Sequence, residues 1–269
     1  MSDSIRFIDT IHGKLAYRIS GRSGGVPLLL TSRFRGTLDD WDPALIDLLA
    51  ETRTVIMFDS AGIGRSEGEV PTSIAGMADV AADFVKALAI AKVDLLGWSL
   101  GGLVAQTVAL NHPAIVRRLI VAGSSPGGIS DGPQQHPKVL EIMAHTTNRD
   151  DDFLFMFFPE TDTARAAGSA HLKRIAASPE KGPAVRQDSF MNQMKAFMAW
   201  AGVRERLPEL SIPVLVANGQ HDVMIPAYRS YVLAQEVHNG KLVLYPDAGH
   251  AFLFQNAESF AIEIEQFLS

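Results

Sequence analysis

The chain has 269 residues, 47% of them hydrophobic and 20% charged, the profile of a globular protein large enough for one main domain with a substantial core. A net charge of −6 and the absence of cysteine exclude a broadly basic nucleic-acid surface, a disulfide framework, a thiolate nucleophile and a Cys-ligated metal. The opening "MSDSIRFIDTIHG" lacks the basic segment and apolar run of a leader, and no apolar stretch approaches the ~20 residues that span a bilayer. The expectation is a cytoplasmic protein whose partner is a small molecule, with no nucleic acid and no membrane; oligomeric state is not readable.

In chain order, "IRFIDTI" and "KLAYRIS" flank His12-Gly13 and predict an antiparallel hairpin, and "VPLLLTS" a third strand. Helical and strand patterns then alternate. "PALIDLLAET" predicts a helix, "TVIMFDS" a strand, "SIAGMADVAADFVKALAIA" a helix, "KVDLLGWS" a strand, "LGGLVAQTVALNH" a helix and "RRLIVAGSS" a strand. Such repetition builds an α/β fold, a mostly parallel doubly wound sheet covered by helices on both faces.

The alternation stops at Pro126 and resumes with "IPVLVANG", followed by the helix "PAYRSYVLAQEV", the strand "KLVLYP" and the helix "AESFAIEIEQFL". Residues 126–208 read as short helices broken by "SPGG", "FFPE", "SPEKGP" and "RLPEL". They predict a helical cap inserted into a core of residues 1–125 and 209–269. Five of the nine Met and six of the fourteen Phe fall in this segment, which suggests that a cap lies over an apolar ligand, although such residues can equally form the cap's own core.

Chemistry concentrates at "DLLGWSLGGLVAQ". Gly97-Trp98-Ser99-Leu100-Gly101 has the form G-x-S-x-G between an apolar strand and a helix, where a tight turn lifts a serine hydroxyl to the carboxyl edge of the sheet and the helix N-terminus faces a developing anion. A serine needs a base, and the base an orienting acid. His250, in "YPDAGHAFLF" after the last strand, sits at the same sheet edge as Ser99. Asp222, in "ANGQHDVMIP", is the acid favoured, against a plain helix-capping role; Asp247 lies too close to His250 in sequence.

With serine, aspartate and histidine in that order, the chain resembles the α/β-hydrolase family, and "FDSAGIGRS" is similar to that family's D-x-x-G-x-G-x-S loop through Asp59, Gly62, Gly64 and Ser66. The resemblance implies a catalytic triad of Ser99, Asp222 and His250, an oxyanion hole using the backbone N–H of Leu100, and no cofactor or metal. Where the family usually has His-Gly after its third strand, this chain has "TSRFRGTLDDW", which makes Phe34, or Arg33, the second donor. Arg33 and Arg35 can bind a substrate carboxylate or carbonyl, or pair with Asp39, Asp40 and Asp42 in their own loop. Trp98, Phe153, Met156, Met191, Met194 and Met198 are the expected pocket residues, with Trp98 either bordering the pocket or packing beneath it.

The expected activity is that of a serine hydrolase acting on a carboxylic ester or lactone of a small, largely apolar molecule, falling as pH drops through the range where histidines protonate. Carbon–carbon bond hydrolysis and cofactor-free perhydrolysis remain open because they use the same triad, and a ligand receptor on the same fold is the alternative of another class. Serine at position 99 disfavours reactions that need an aspartate nucleophile.

Overall fold

The computed structural model describes residues 4–145, 147–178 and 181–269. Met1 to Asp3, at the start of the segment inspected for a leader, and Pro179 and Glu180 within "SPEKGP" lie outside them. Among the described residues no helix is long and apolar enough to cross a membrane.

Eight strands form one sheet: β1 (Arg6–Thr10), β2 (Gly13–Gly21), β3 (Leu28–Thr31), β4 (Thr54–Phe58), β5 (Val93–Trp98), β6 (Val116–Ala122), β7 (Val214–Gly219) and β8 (Gly240–Tyr245). Their spatial order is β1-β2-β4-β3-β5-β6-β7-β8. The hairpin β1–β2 is antiparallel and joins β4 antiparallel, while all later pairings are parallel. The strand order reverses between β3 and β5. In open sheets of this kind, the crevice above the carboxyl ends at that reversal is where ligands bind.

The buried strands are apolar on both sides because helices cover both faces. Leu29, Ile56, Leu95, Val121 and Val216 share a core with α2 (Ile74–Ala87), α3 (Leu100–Asn111) and α8 (Ala227–Glu236). Their alternates Leu30, Met57, Leu96, Ile120 and Leu215 share the other core with α1 (Pro43–Ala50), α9 (Phe252–Gln255) and α10 (Ala257–Leu268). The period-2 alternation of strand side chains assigns each residue to its layer.

Between β6 and β7 the described residues form four α-helices, α4 (Pro137–Met143), α5 (Asp150–Phe157), α6 (Asp162–Ala176) and α7 (Gln187–Met198), and a 3-10 turn at Arg204–Glu209. Three carboxylates, Asp150 to Asp152, open α5, where they complement the positive end of the helix dipole. Met156, Phe157 and Phe158 then pack into the same core as α9 and α10.

Candidate active site

Ser99 sits between β5 and α3 with φ 59° and ψ −120°, a conformation that L-residues with a side chain seldom hold. Its neighbours explain how the turn is tolerated. A side-chain carbon on Gly97 would overlap the carbonyl oxygen of Gly101, and one on Gly101 would overlap that of Thr31. The two glycines therefore let α3 start directly against the ends of β5 and β3. Ser99 N donates to Ala122 O at 2.9 Å, and Ser124 Oγ donates to Ser99 O at 2.8 Å, so the strained residue is tied on both sides to β6 and the loop after it. Leu100 supplies the first amide of α3, one of those without an intrahelical acceptor.

Asp222 follows β7 and is buried. Its Oδ1 accepts from Met224 N and Ile225 N, each at 2.8 Å, which leaves Oδ2 for the Nδ1–H of His250 at 2.7 Å. These bonds fix the carboxylate rotamer and, in the neutral ring, favour the tautomer that carries its proton on Nδ1 and leaves Nε2 free to accept. His250 is fully buried, and its Nε2 has no hydrogen-bond partner. Its main chain is held by the indole of Trp98, which donates to His250 O at 3.0 Å. Asp247 instead accepts from the Thr161 hydroxyl at 2.8 Å.

The loop after β3 forms the opposite wall. Gly36 N donates to Arg33 O at 2.9 Å, closing a turn in which Arg35 takes φ 56°, a position that favours glycine. Hydrogen bonds to the cap segment stabilise it: Arg35 N donates to Gln193 Oε1 of α7 at 2.9 Å, and the Arg35 guanidinium donates to His145 O at 2.9 Å and Asn148 Oδ1 at 3.3 Å. Beneath the loop, buried Asp59 accepts from Leu38 N at 2.7 Å and Arg65 N at 2.9 Å. Burial pushes this carboxyl up to about 6, against the pull of those two amides. A side chain on Gly64 would collide with it, whereas one on Gly62 would meet the backbone of Glu69 and Val70, so Gly64 makes room for the carboxylate that joins two loops.

Ser99 and His250 line one cavity of about 410 Å³ together with Arg33, Phe34, Arg35, Phe153, Met156 and Phe157. Ser99 and Phe34 also line a second cavity of about 230 Å³, walled by Leu100, Leu103, Val139, Phe197 and Trp200. The serine thus stands where the two meet.

The expected pocket residues divide. Phe153 and Met156 line the larger cavity, whereas Trp98 is 1% exposed and packs underneath, against His250 and Phe157. Met191 and Met198 are corrections: they are 44% and 73% exposed. Met194 is likewise absent from the lining of either cavity. The inward face of α7 is the Ser189, Gln193, Ala196 stripe, and residues 191, 194 and 198 fall outside it by helical geometry. Arg33 pairs with Asp40 at 2.9 Å as its own loop allows, but Arg35 reaches across to the segment after α4. Asp42 bonds His171 at 2.6 Å and Arg174 at 2.7 Å, both on α6. Sequence reading missed this cluster, for which the i, i+3 spacing of His171 and Arg174 on one helix face was the available signal.

Known proteins carry the same architecture. The alpha/beta hydrolase fold profile matches residues 26–257. The chain is 28% identical over 246 residues to the RutD protein of Agrobacterium fabrum, provisionally named a carbamate hydrolase, covering 90% of this chain and 92% of that one. It is 28% identical over 252 residues to the pimeloyl-[acyl-carrier protein] methyl ester esterase of Pectobacterium atrosepticum, covering 91% and 95%. An alpha/beta hydrolase fold protein from Chitinophaga pinensis superposes with a TM-score of 0.91 at 30% identity, over 100% of this chain and 98% of that one. A profile that spans most of the chain, over a mostly parallel sheet with an N-terminal antiparallel hairpin, makes this chain a member of the alpha/beta hydrolase fold family.

Proposed function

We propose that this hydrolase cleaves a carboxylic ester or lactone of a small, largely apolar molecule, with Ser99 as nucleophile, His250 as base and Asp222 as the orienting acid. The observation that carries the reading is the histidine: its Nδ1 is bound to a carboxylate already fixed by two amides, its Nε2 is buried and unpartnered, and the residue lines the cavity that Ser99 also lines.

In this reading His250 Nε2 takes the Ser99 proton as Oγ adds to the substrate carbonyl carbon. The carbonyl π-electrons move onto oxygen, which the N–H groups of Leu100 and Phe34 receive. The tetrahedral adduct collapses, the C–O bond to the alcohol breaks, and the alcohol leaves with the proton from His250. Water then repeats the sequence on the acyl-enzyme, with His250 again as base, and releases the acid. The segment 126–208 acts as the cap over this chemistry. The names of the two relatives, carbamate hydrolase and methyl ester esterase, share the displacement by water of a heteroatom leaving group from a carbonyl, which supports this class over carbon–carbon cleavage, where carbon leaves, and over perhydrolysis, where peroxide attacks.

The test is Ser99→Ala. We expect no turnover of an ester that the parent protein hydrolyses, unchanged circular dichroism, and loss of covalent labelling by a fluorophosphonate. Undiminished turnover by the variant would reject the assignment.

A further inference from the structure

The turn that carries Phe34 is held from the cap. Gly36 N donates to Arg33 O across Phe34 and Arg35, and φ is positive at Arg35 but not at Phe34, the sign pattern of a type II turn. Glycine suits the third position of such a turn. Any other residue there gains by flipping the peptide between the two central residues, which converts the turn to type I. Here both ends of that peptide are bonded: Phe34 O accepts from Arg33 Nη1 at 2.9 Å, and Arg35 N donates to Gln193 Oε1 at 2.9 Å. Gln193 is buried, and with Gly36 and Leu100 it lines a cavity of about 40 Å³, so hydrogen bonds rather than packing hold the turn at that point. Among the described residues Phe34 N has no acceptor.

The helix that supplies Gln193 is anchored independently of this bond. Ser189 Oγ donates to Gly62 O at 2.6 Å, Asn192 Nδ2 donates to Val70 O at 3.2 Å, and the Phe190 ring meets that of Phe34 edge-on at 5.6 Å. Gln193 itself lines neither of the cavities that Ser99 lines. We infer that Gln193 is a positioning residue for acyl transfer: its side-chain oxygen holds the peptide between Phe34 and Arg35 in the strained turn that offers Phe34 N–H to the substrate's carbonyl oxygen. The inference rests on the acyl-transfer reading above and adds that a residue of the cap sets the geometry of the oxyanion hole.

The experiment is a double-mutant cycle. Gln193→Met removes the acceptor at similar volume, and we expect it to lower kcat by about tenfold or more with KM little changed, a part of the ~10²–10³ that a whole oxyanion donor supplies. Arg35→Gly lets the turn keep its positive φ without help, so Gln193→Met should cost distinctly less in that background than in the parent. A merely structural glutamine would cost the same in both. Unchanged kcat in Gln193→Met, or equal losses in the two backgrounds, would overturn the inference. Amide hydrogen exchange in the unmodified protein needs neither a variant nor turnover: Arg35 N–H should exchange more slowly than Phe34 N–H, and equal exchange of the two would also overturn it. In each of these cases an inactive Ser99→Ala leaves the serine chemistry intact, whereas undiminished turnover by Ser99→Ala rejects the underlying reading whatever the cycle shows.

Discussion

At the scale of single residues, the site depends on hydrogen bonds that restrict choice. Asp222 has one oxygen committed to Met224 N and Ile225 N and the other to His250, so it cannot turn away from the imidazole. An amide there would present either an oxygen or an NH2 to Nδ1, and with the NH2 inward the histidine adopts the wrong tautomer. Asp222→Asn should therefore lower kcat by about 10⁴ with little change in KM, measured on any ester the parent protein turns over. The places of Ser99, Asp222 and His250 after β5, β7 and β8 were legible in the sequence because each follows an apolar strand pattern that composition alone does not produce. The side chains of α7 were not, because Met191 and Met198 look like pocket residues by type while the helix turns a polar stripe, Ser189 and Gln193, inward. Residue type points to candidate pocket residues, but rotation about the helix axis decides which methionine faces inward.

At the scale of elements, two buried carboxylates join pieces of the chain that are far apart in sequence. Asp42 caps α1 through Ala44 N at 2.9 Å and holds His171 and Arg174 of α6. Burial would raise its carboxyl, but the bonds from His171, Arg174 and Ala44 prevail and hold it at about 2. Its contribution, about 2 kcal/mol, is present above the unfolded carboxyl range near ~3.9 and is lost as pH falls through 2. Asp59 has the opposite sign. Raised to about 6, it binds its proton more tightly folded than unfolded, so it favours the native state most below ~3.9 and gives up about 3 kcal/mol as pH rises through 6. Asp59→Asn, neutral at every pH, should thus be less destabilising at pH 8 than at pH 5, as read from urea midpoints. Asp42→Asn should cost roughly 3 kcal/mol at pH 7, toward the low end for a broken buried pair because Arg174 is 36% exposed. Neither linkage was visible beforehand. A carboxylate in a D-x-x-G-x-G-x-S loop and another before a proline helix start give sequence reasons for their own turns, but say nothing of the partners that long-range packing brings to them.

At the scale of the molecule, the alternation of strands and helices was readable from the N-terminal hairpin through β8, because a parallel sheet needs apolar runs separated by amphipathic crossovers. The spatial order of the strands is carried by no single segment and is given by the structure. That order leaves β8 with β7 as its only sheet neighbour, and half of its residues are exposed. Ser99 stands on β5, flanked on both sides by sheet. The imidazole is thus suspended from the outermost rung of the ladder while the hydroxyl rests on a central one. Detaching that rung costs less than melting the middle, so activity should vanish at a lower urea concentration than helical circular dichroism. Coincident midpoints would mean that the rim and the centre let go together. The machinery assembled here has a weakest bolt, and the sheet's own edge determines where it sits.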